Sequence, residues 1–379
     1  MKVEQRLWQA ASGWQPSAPG ELGGAARLVL VFGATPLLRD AARLAEIAAG
    51  YPAAIVAGCS TAGEICGTRV RDDTLTLTAV AFDKTKVSLA ETAIGCAADS
   101  RAAGARLAQA LAGDGLAHVL VFSGGLKVNG TELAAGLREH LPERVAVTGG
   151  LAGDGDRFRH TLVCAGGSAA EARVAAVGFY GDSLKIGCGS LGGWDPFGPE
   201  RLITRAEGNV LFELDGQPAL DLYRKYLGDH ALGLPATALL FPLLLRSNSG
   251  GDGLVRTILG IDEQAGSMTF AGDMPEGAHA RLMKANFDRL IDGAAGAAKS
   301  GLSQLGGTPA ELAVLVSCVG RKLVLRQRIE EEVEGVRRVL GSQAALTGFY
   351  SYGELCPQGD ARSCELHNQT MTITAFAEA

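Results

Sequence analysis

The sequence contains no apolar stretch that approaches the roughly 18 residues needed to span a membrane. Residues 1–6 lack the apolar core of a signal peptide. No block of Lys or Arg occurs either, and the 379-residue chain carries a formal net charge of −6. We therefore expect a cytoplasmic protein that neither spans a membrane nor binds nucleic acid.

Several signatures of catalysis and metal binding are also missing. There is no Walker loop, and no Rossmann fingerprint lies between a strand and a helix, so nucleotide-driven chemistry is unsupported. Zinc sites usually need two close pairs of ligands; Cys364 with His367, or Cys59 with Cys66, supplies only one. We expect no metal site, and we expect the eight cysteines to be reduced and largely buried.

Glycine is unusually abundant. The chain has 52 glycines, about twice the usual share, and they lie beside apolar runs rather than in a low-complexity tract. Apolar residues make up 47% and charged residues 20%, as in soluble proteins with sizeable cores. The composition and length predict two or more domains with many tight turns and close backbone approaches.

Three segments repeat one pattern, at residues 55–65, 146–154 and 345–355. Each has an apolar run that ends in Gly, a few small or aromatic residues, a second Gly and then a carboxylate. A strand and a helix precede each segment, and two strand-like runs follow it. The fold is therefore predicted to be α/β (mixed α+β), with repeated strand-helix-strand-strand modules and mixed sheets flanked by helices.

The domain organisation follows from these repeats. Residues 1–26 are expected to be a lead-in whose Trp8 and Trp14 dock on a domain surface. Residues 192–199 contain two prolines and three glycines, which deny helix and strand continuation. We place the domains at 27–192 and 193–379, and we expect a divergent copy of the module at about 208–298.

Apolar residues recur at helical spacing in several places. They predict helices at about 36–49, 280–298 and 326–340, and a further helix that begins at Thr131. Pro218 is expected to begin another helix, which continues from Ala219 to Leu227.

The repeated loops are the first candidate ligand site. Their glycines let backbone N–H groups point into a cavity, and their carboxylates can hold an ammonium group or orient a polar ligand. The alternative is that glycine makes the turn and the carboxylate is a solvated cap. The candidate ligand-binding residues, from these loops and two nearby motifs, are Gly58, Cys59, Gly63, Glu64, Gly149, Asp154, Arg321, Tyr352, Glu354 and Asn368.

Arg321 and Cys59 raise two separate questions. Arg321 ends a predicted buried strand, where it can pair with a ligand carboxylate; the structural alternative is a pair with Glu354. A thiol enzyme would use Cys59 as nucleophile, with a His or Glu64 as base. Because the sequence offers no third orienting group and no nucleophile elbow, we do not expect an enzyme.

Taken in order, six motifs resemble the FIST family of bacterial and archaeal sensory proteins over essentially the whole chain. They are residues 58–64, 149–155, 214–219, 317–321, 348–354 and 366–372. The resemblance places the N-terminal FIST half in the first domain and the C-terminal half in the second. It implies a small-ligand-binding input module of signal transduction, for which amino acids or their derivatives are proposed ligands.

A subset of stand-alone family members resembles haem-binding nitric-oxide sensors that regulate histidine kinases or cyclic-di-GMP enzymes. No kinase or receiver segment remains in this chain, so the resemblance implies a separate partner protein, and homo-oligomerisation stays open. Haem is the leading expected cofactor, with an amino acid as the alternative ligand.

The haem expectation needs an iron ligand. His118 begins an inner strand and His140 ends an exposed helix, so both are poor candidates. The competing haem-ligand candidates are His230, His279 and His367, each of which has a hydrogen-bonding role as its structural alternative.

Overall fold

The computed structural model describes residues 1–234, 236–246, 253–357 and 364–379, which contain eight α-helices and 28 β-strands. Most of them belong to three copies of one module, which together form the body of the protein. A smaller lobe, residues 194–285, is inserted into the third copy. No helix among the described residues is long and apolar enough to cross a membrane.

Module one covers residues 2–81. Its elements are β1 (Lys2–Gln9), β2 (Gly13–Gln15), the 3-10 helix Gly23–Ala25, β3 (Leu28–Gly33), α1 (Thr35–Arg39), α2 (Ala41–Gly50), β4 (Ile55–Ser60), β5 (Glu64–Cys66), β6 (Arg69–Arg71) and β7 (Leu75–Ala81). Residues 2–9 are thus a strand paired with β7, and the expectation of a lead-in outside the sheet was wrong there. Trp8 and Trp14 do pack, partly buried, against the module's core.

Module two covers residues 86–180. Its elements are β8 (Lys86–Ala93), the 3-10 helix Ala97–Asp99, α3 (Ser100–Leu111), β9 (Leu116–Ser123), α4 (Gly130–His140), β10 (Ala146–Leu151), β11 (Val163–Ala165), β12 (Ser168–Ala170) and β13 (Arg173–Tyr180).

Module three begins with β14 (Leu184–Leu191), after which the chain enters the lobe. The lobe contains β15 (Trp194–Pro196), β16 (Arg201–Glu207), β17 (Val210–Leu214), β18 (Gln217–Pro218), α5 (Ala219–Leu227), the 3-10 helices Gly228–Gly233 and Ala236–Leu240, β19 (Leu243–Arg246), β20 (Leu254–Arg256), β21 (Ile258–Asp262), β22 (Ser267–Phe270) and β23 (His279–Ala285). Every described strand pair in the lobe is antiparallel. The expected divergent copy at 208–298 is therefore wrong, because the described residues of that range form no parallel strand-helix-strand unit.

The chain then returns to module three. Its remaining elements are α6 (Phe287–Gln304), β24 (Leu312–Cys318), α7 (Val319–Leu325), the 3-10 helix Arg326–Arg328, α8 (Ile329–Leu340), β25 (Ala345–Ser351), β26 (Gly353–Pro357), β27 (Cys364–His367) and β28 (Met371–Glu378). The helix expected at 280–298 begins only at Phe287, because the side chain of Asn286 accepts a hydrogen bond from the Arg289 N–H and caps it.

The three body sheets share one strand order and exchange hairpins in a cycle. In each module the two central strands are parallel, as in β3 with β4, β9 with β10 and β24 with β25. The hairpin β5–β6 of module one extends the sheet of module three, β26–β27 extends that of module two, and β11–β12 extends that of module one. Each exchange covers an edge strand, so the modules interlock. The expected mixed α/β fold of repeated modules is confirmed.

The first position of each repeated loop is glycine for the same structural reason. These glycines are Gly58, Gly149 and Gly348. A Cβ atom there would lie 1.8, 2.0 and 1.9 Å from the carbonyl oxygen of the neighbouring parallel strand. No side chain fits, so the repeated glycine is a requirement of strand packing.

The sheets meet at an aromatic core. The ring of Phe32 lies 4.8 Å from that of Phe349 and 5.7 Å from that of Phe122. All three rings are fully buried. The loops that follow β4, β10 and β25 therefore converge at one end of the body.

Candidate functional site

The carboxylate of Glu64 closes the first loop onto the following strand. Its side chain is buried, Oε2 accepts hydrogen bonds from the N–H and Oγ1 of Thr74 at 3.2 and 2.6 Å, and Oε1 accepts one from Thr61. Burial raises the pKa of Glu64 to about 7, against the lowering effect of these hydrogen bonds. The carboxylate is thus held internally, although Glu64 still lines a cavity.

Glu354 repeats this arrangement in module three. Its oxygens accept hydrogen bonds from Ser351 Oγ at 2.6 Å and from the N–H and Oγ1 of Thr370 at 3.2 and 3.0 Å. The side chain is 0% exposed, and burial raises its pKa to about 8. It is therefore neither a solvated cap nor an exposed ligand-binding group.

Asp154 organises the loop of module two. Its Oδ2 accepts hydrogen bonds from the N–H groups of Arg159 and His160, both at 2.9 Å, and its Oδ1 accepts one from the Tyr352 hydroxyl. Burial alone would raise the pKa of Asp154, but these hydrogen bonds hold it below its usual value. Tyr352 stacks on Phe158, with ring centroids 4.3 Å apart.

Arg321 is fully buried and forms a salt bridge. Its Nη2 and Nε donate to Glu332 Oε2 at 2.8 and 3.1 Å. Its Nη2 also donates to the Leu290 carbonyl oxygen, and its Nη1 donates to that of Gly192. The alternative in which Arg321 pairs with Glu354 is therefore wrong, since its partner is Glu332. Because α7 begins at Val319, Arg321 lies on a helix rather than at a strand end, and the next residue, Lys322, faces the cavity.

Two further candidates lie in the interior. Cys59 is fully buried in the core, and burial raises the pKa of its thiol well above the usual range. Asn368 is 1% exposed, and neither polar atom of its side chain has a hydrogen-bond partner among the described residues. Gly63 has φ +140°, and a Cβ there would lie 2.7 Å from Lys322 Nζ, so this glycine makes room for that side chain.

The three histidine candidates lie on three different elements. His230 is exposed and packs on Phe241 at 5.1 Å, His279 lies on β23, and the Nε2 atom of His367 lies 3.1 Å from the Cys356 carbonyl oxygen. Burial lowers the pKa of His367 to about 4. None of the three lines the cavities described below, so those cavities do not fit haem held by imidazole. Within the described ranges no cluster of three metal-ligating side chains occurs.

A cleft opens where the loops converge, and it has two chambers. The polar chamber, of about 370 Å³, is lined by residues 61–64, Asp72, Asp73, residues 155–157, Val319, Lys322 and Leu323 together with Ala34. The apolar chamber, of about 920 Å³, lies between the body and the lobe, against Phe158, residues 239–240, 258–259 and Ile329. Asp72, Asp156, Lys322 and Leu323 line both chambers, so the two chambers adjoin, and we call them together the cleft.

Charges of both signs surround the cleft. The Nζ of Lys322 donates hydrogen bonds to Asp72 and, at 2.8 Å, to the Ala62 carbonyl oxygen. Asp156, Arg157 and Arg326 also line it, and none of these three forms a salt bridge with another described residue. The cleft thus presents both carboxylates and cations to a ligand.

No sequence motif pointed to Lys322, Asp72 or Asp156. Lys322 directly follows a predicted site residue, but a helix turns about 100° per residue, so neighbours face different directions. Asp72 reaches the cleft because hairpin β5–β6 joins module three. Asp156 reaches it because the loop after β10 bonds to residues 60–61 through the N–H groups of Gly153 and Gly155. A local signal was the position of Asp72 two residues before Thr74, which hydrogen-bonds to Glu64.

Two family models match the chain: the FIST N domain over residues 27–217 and the FIST C domain over residues 219–357. No curated protein matches it. Among solved structures, the crystal structure of cyanuric acid hydrolase from A. caulinodans is similar with a TM-score of 0.41 and 9% identity, over 100% of this chain and 98% of that one. At that distance the likeness carries no argument about the site.

Proposed function

The chain belongs to the FIST family, whose domains are small-ligand sensory domains of signal transduction, and we propose that it senses an amino acid or a close derivative. The observation that carries this proposal is the cleft itself. It combines a polar chamber of mixed charge with a larger apolar chamber. An amino acid with an apolar side chain has both parts.

The polar chamber matches the two charges of a zwitterion. Asp156 and Asp73 are exposed carboxylates that pair with an ammonium group, and Arg157 is an exposed cation that pairs with a carboxylate. Lys322 is held by Asp72 and can exchange that partner for the ligand. The lining holds three aspartates and Glu64 beside two cations, so an ammonium group and a carboxylate can each find a partner there.

The apolar chamber takes the remainder of the ligand. Leu239, Leu240 and Ile258 of the lobe face Phe158 and Ile329 of the body across it. A ligand there touches both parts at once and loses its apolar surface to them, so it stabilises one arrangement of lobe and body. That differential stabilisation is the proposed signal.

The output of the proposed sensor is a separate regulator in the cytoplasm, either a histidine kinase or a cyclic-di-GMP enzyme. The chain acts by binding rather than catalysis. Consistent with this, Cys59 is enclosed in the core, and a Cys59→Ser variant should bind the ligand as the wild type does.

The test is a thermal-shift screen of the twenty amino acids and their N-acyl and amide derivatives, followed by calorimetry of any hit. Lys322→Gln and Asp156→Asn should each weaken binding about tenfold or more, because each removes a charged partner. Lys299→Gln and Asp114→Asn, at exposed positions outside the cleft, are the matched controls and should leave the affinity unchanged. Equal effects of cleft and control variants would refute the proposal.

Haem, with nitric oxide sensed through it, is the second candidate. The volume of the apolar chamber and the cations Lys322 and Arg326 beside it favour this ligand, since cations pair with propionates. The missing histidine in the lining counts against it. A sharp Soret band on adding one equivalent of haem, shifted by nitric oxide and lost on one His→Ala substitution, would favour haem; the broad spectrum of free haem would exclude it.

A further inference from the structure

The cyclic exchange of hairpins creates three equivalent junctions in the body. At each one, the segment that follows a module's first central strand meets the loop that leads into the incoming hairpin. The first junction joins α7 to residues 61–64 and contains the polar chamber. The other two junctions can be compared with it directly.

The third junction joins the start of α1 to the loop of module two. There Thr35 Oγ1 donates a hydrogen bond to the His160 carbonyl oxygen at 3.2 Å, and Thr35 is buried. Neighbouring residues of both segments, Ala34 and 155–157, line the polar chamber. The third junction thus borders the same chamber as the first.

The second junction is open and holds a cavity of about 290 Å³, which we call the side cavity. It joins the segment after β9, including Gly125, Leu126 and Val128, to Tyr352. The lobe closes it from above with Leu259 and Phe270. The side cavity therefore occupies the position in module two that the polar chamber occupies in module three.

The side cavity differs from the polar chamber in charge. None of the described residues that line it carries a charge. Its amides donate elsewhere: Asn129 Nδ2 reaches Asp273 at 2.9 Å and Asn209 Nδ2 reaches the Phe270 carbonyl oxygen at 2.7 Å. The Tyr352 hydroxyl is engaged with Asp154. The side chains left for a ligand are mainly aliphatic and aromatic, with uncharged polar atoms among them.

Phe158 separates the side cavity from the cleft. It lines both the side cavity and the apolar chamber, and its ring stacks on that of Tyr352. Its φ of +51° lies in the left-handed region, which a bulky residue adopts only when its surroundings hold it there. The same ring is thus in reach of a ligand on either side.

We propose that the side cavity is a second binding site, for a small uncharged aromatic molecule, distinct from the cleft. A cavity of about 150 Å³ with apolar walls already binds benzene, so this one has room for one or two fused rings. An ionised ligand is excluded because the lining offers no charge to compensate for its lost hydration. The inference does not depend on the identity of the ligand in the cleft.

The experiment uses indole as the probe and measures its affinity for the full chain by calorimetry. Leu126→Trp fills the side cavity from its partly exposed rim, and Leu323→Trp is the matched substitution in the cleft. We expect Leu126→Trp to weaken indole binding about tenfold or more and Leu323→Trp to change it less than about twofold. Benzyl alcohol should also bind, at least about tenfold tighter than benzoate or benzylammonium.

Hydrogen exchange on the wild-type protein gives a second readout that needs no variant. Indole should protect residues 125–129 and 270–272 but not 61–64 or 319–323. Absence of indole binding, protection confined to the cleft segments, or equal binding of the charged analogues would each overturn the proposal.

Discussion

Single residues at the loop ends act mainly on the fold, and Glu354 shows why. Its carboxylate sits 0% exposed among three hydrogen-bond donors, and its pKa is raised to about 8 by burial. The unfolded chain would lose this proton near the ordinary value of 4.5. Between those two values the folded state binds one more proton than the unfolded state, so its contribution to stability is present at low pH and lost as pH rises.

The Glu354→Gln variant tests this linkage. Glutamine keeps the shape but does not titrate, so the stability advantage of the wild type over the variant should shrink between about pH 5 and pH 8. The slope should be at most about 1.4 kcal/mol per pH unit. Urea unfolding at several pH values measures the difference in unfolding free energy between the wild type and the variant.

The matched control is Glu334→Gln, since Glu334 is exposed on α8. Its difference from the wild type should not change with pH in this range. A constant difference for Glu354→Gln as well would mean that the buried carboxylate titrates as it does in the unfolded chain.

At the scale of elements, parallel strand pairs and their glycines fix the positions of the loops. Gly149 has φ +141°, and a Cβ there would lie 2.0 Å from the Val121 carbonyl oxygen. Its strand, β10, also receives β26 from module three. A side chain at this point would separate β10 from β9 and disturb both pairings.

Gly149→Ala should therefore lower the free energy of unfolding by about 3 kcal/mol or more, through overpacking and an unfavourable backbone angle. Gly24→Ala is the control, because a Cβ at Gly24 meets no atom within 4 Å. We expect that change to stay within about 0.5 kcal/mol. Denaturant unfolding compares the midpoints of the two variants. Similar midpoints would contradict the packing argument.

Helices show how far local patterns predict structure. The periodic run at 326–340 is confirmed as α8, Ile329–Leu340, and the run at 36–49 is confirmed but divided at Asp40, whose side chain caps α2. The start expected at 280 was wrong, since residues 279–282 pair with β16 and β19, and residues 283–285 pair with β15. Periodicity located the apolar face, but only a pairing partner decided between strand and helix there.

At the scale of the whole molecule, the lobe is an insertion that the body sheets do not use. No strand between 194 and 285 enters any of the three body sheets among the described residues. Where the chain enters and leaves the lobe, Pro196 lies opposite Met283 in an antiparallel pair. A two-residue turn can join those positions.

Replacing residues 197–282 with Asn-Gly should therefore give a folded body that lacks the lobe side of the apolar chamber. We expect cooperative unfolding and retained near-ultraviolet circular dichroism, with ligand binding in the apolar chamber reduced at least about a hundredfold, because the lobe supplies one wall. A molten or aggregated product would instead show that lobe contacts, such as that of Arg256 Nη1 with the Leu366 carbonyl oxygen at 2.9 Å, are essential to the body.

The sequence by itself determined the repeated module, the mixed α/β class and the family, because strand periodicity, loop glycines and short motifs are local features of the chain. Only the tertiary structure decided which residues meet. Hairpin exchange carries Asp72 from module one to Lys322 in module three, 250 positions away. The lobe, inserted in module three, lines the apolar chamber together with both residues. Contacts of that kind depend on strand pairing between distant segments. The loop carboxylates that the pattern favoured are buried and hydrogen-bonded inside the protein. The charged residues Asp72, Asp156 and Lys322, which belong to no predicted motif, line the cleft instead.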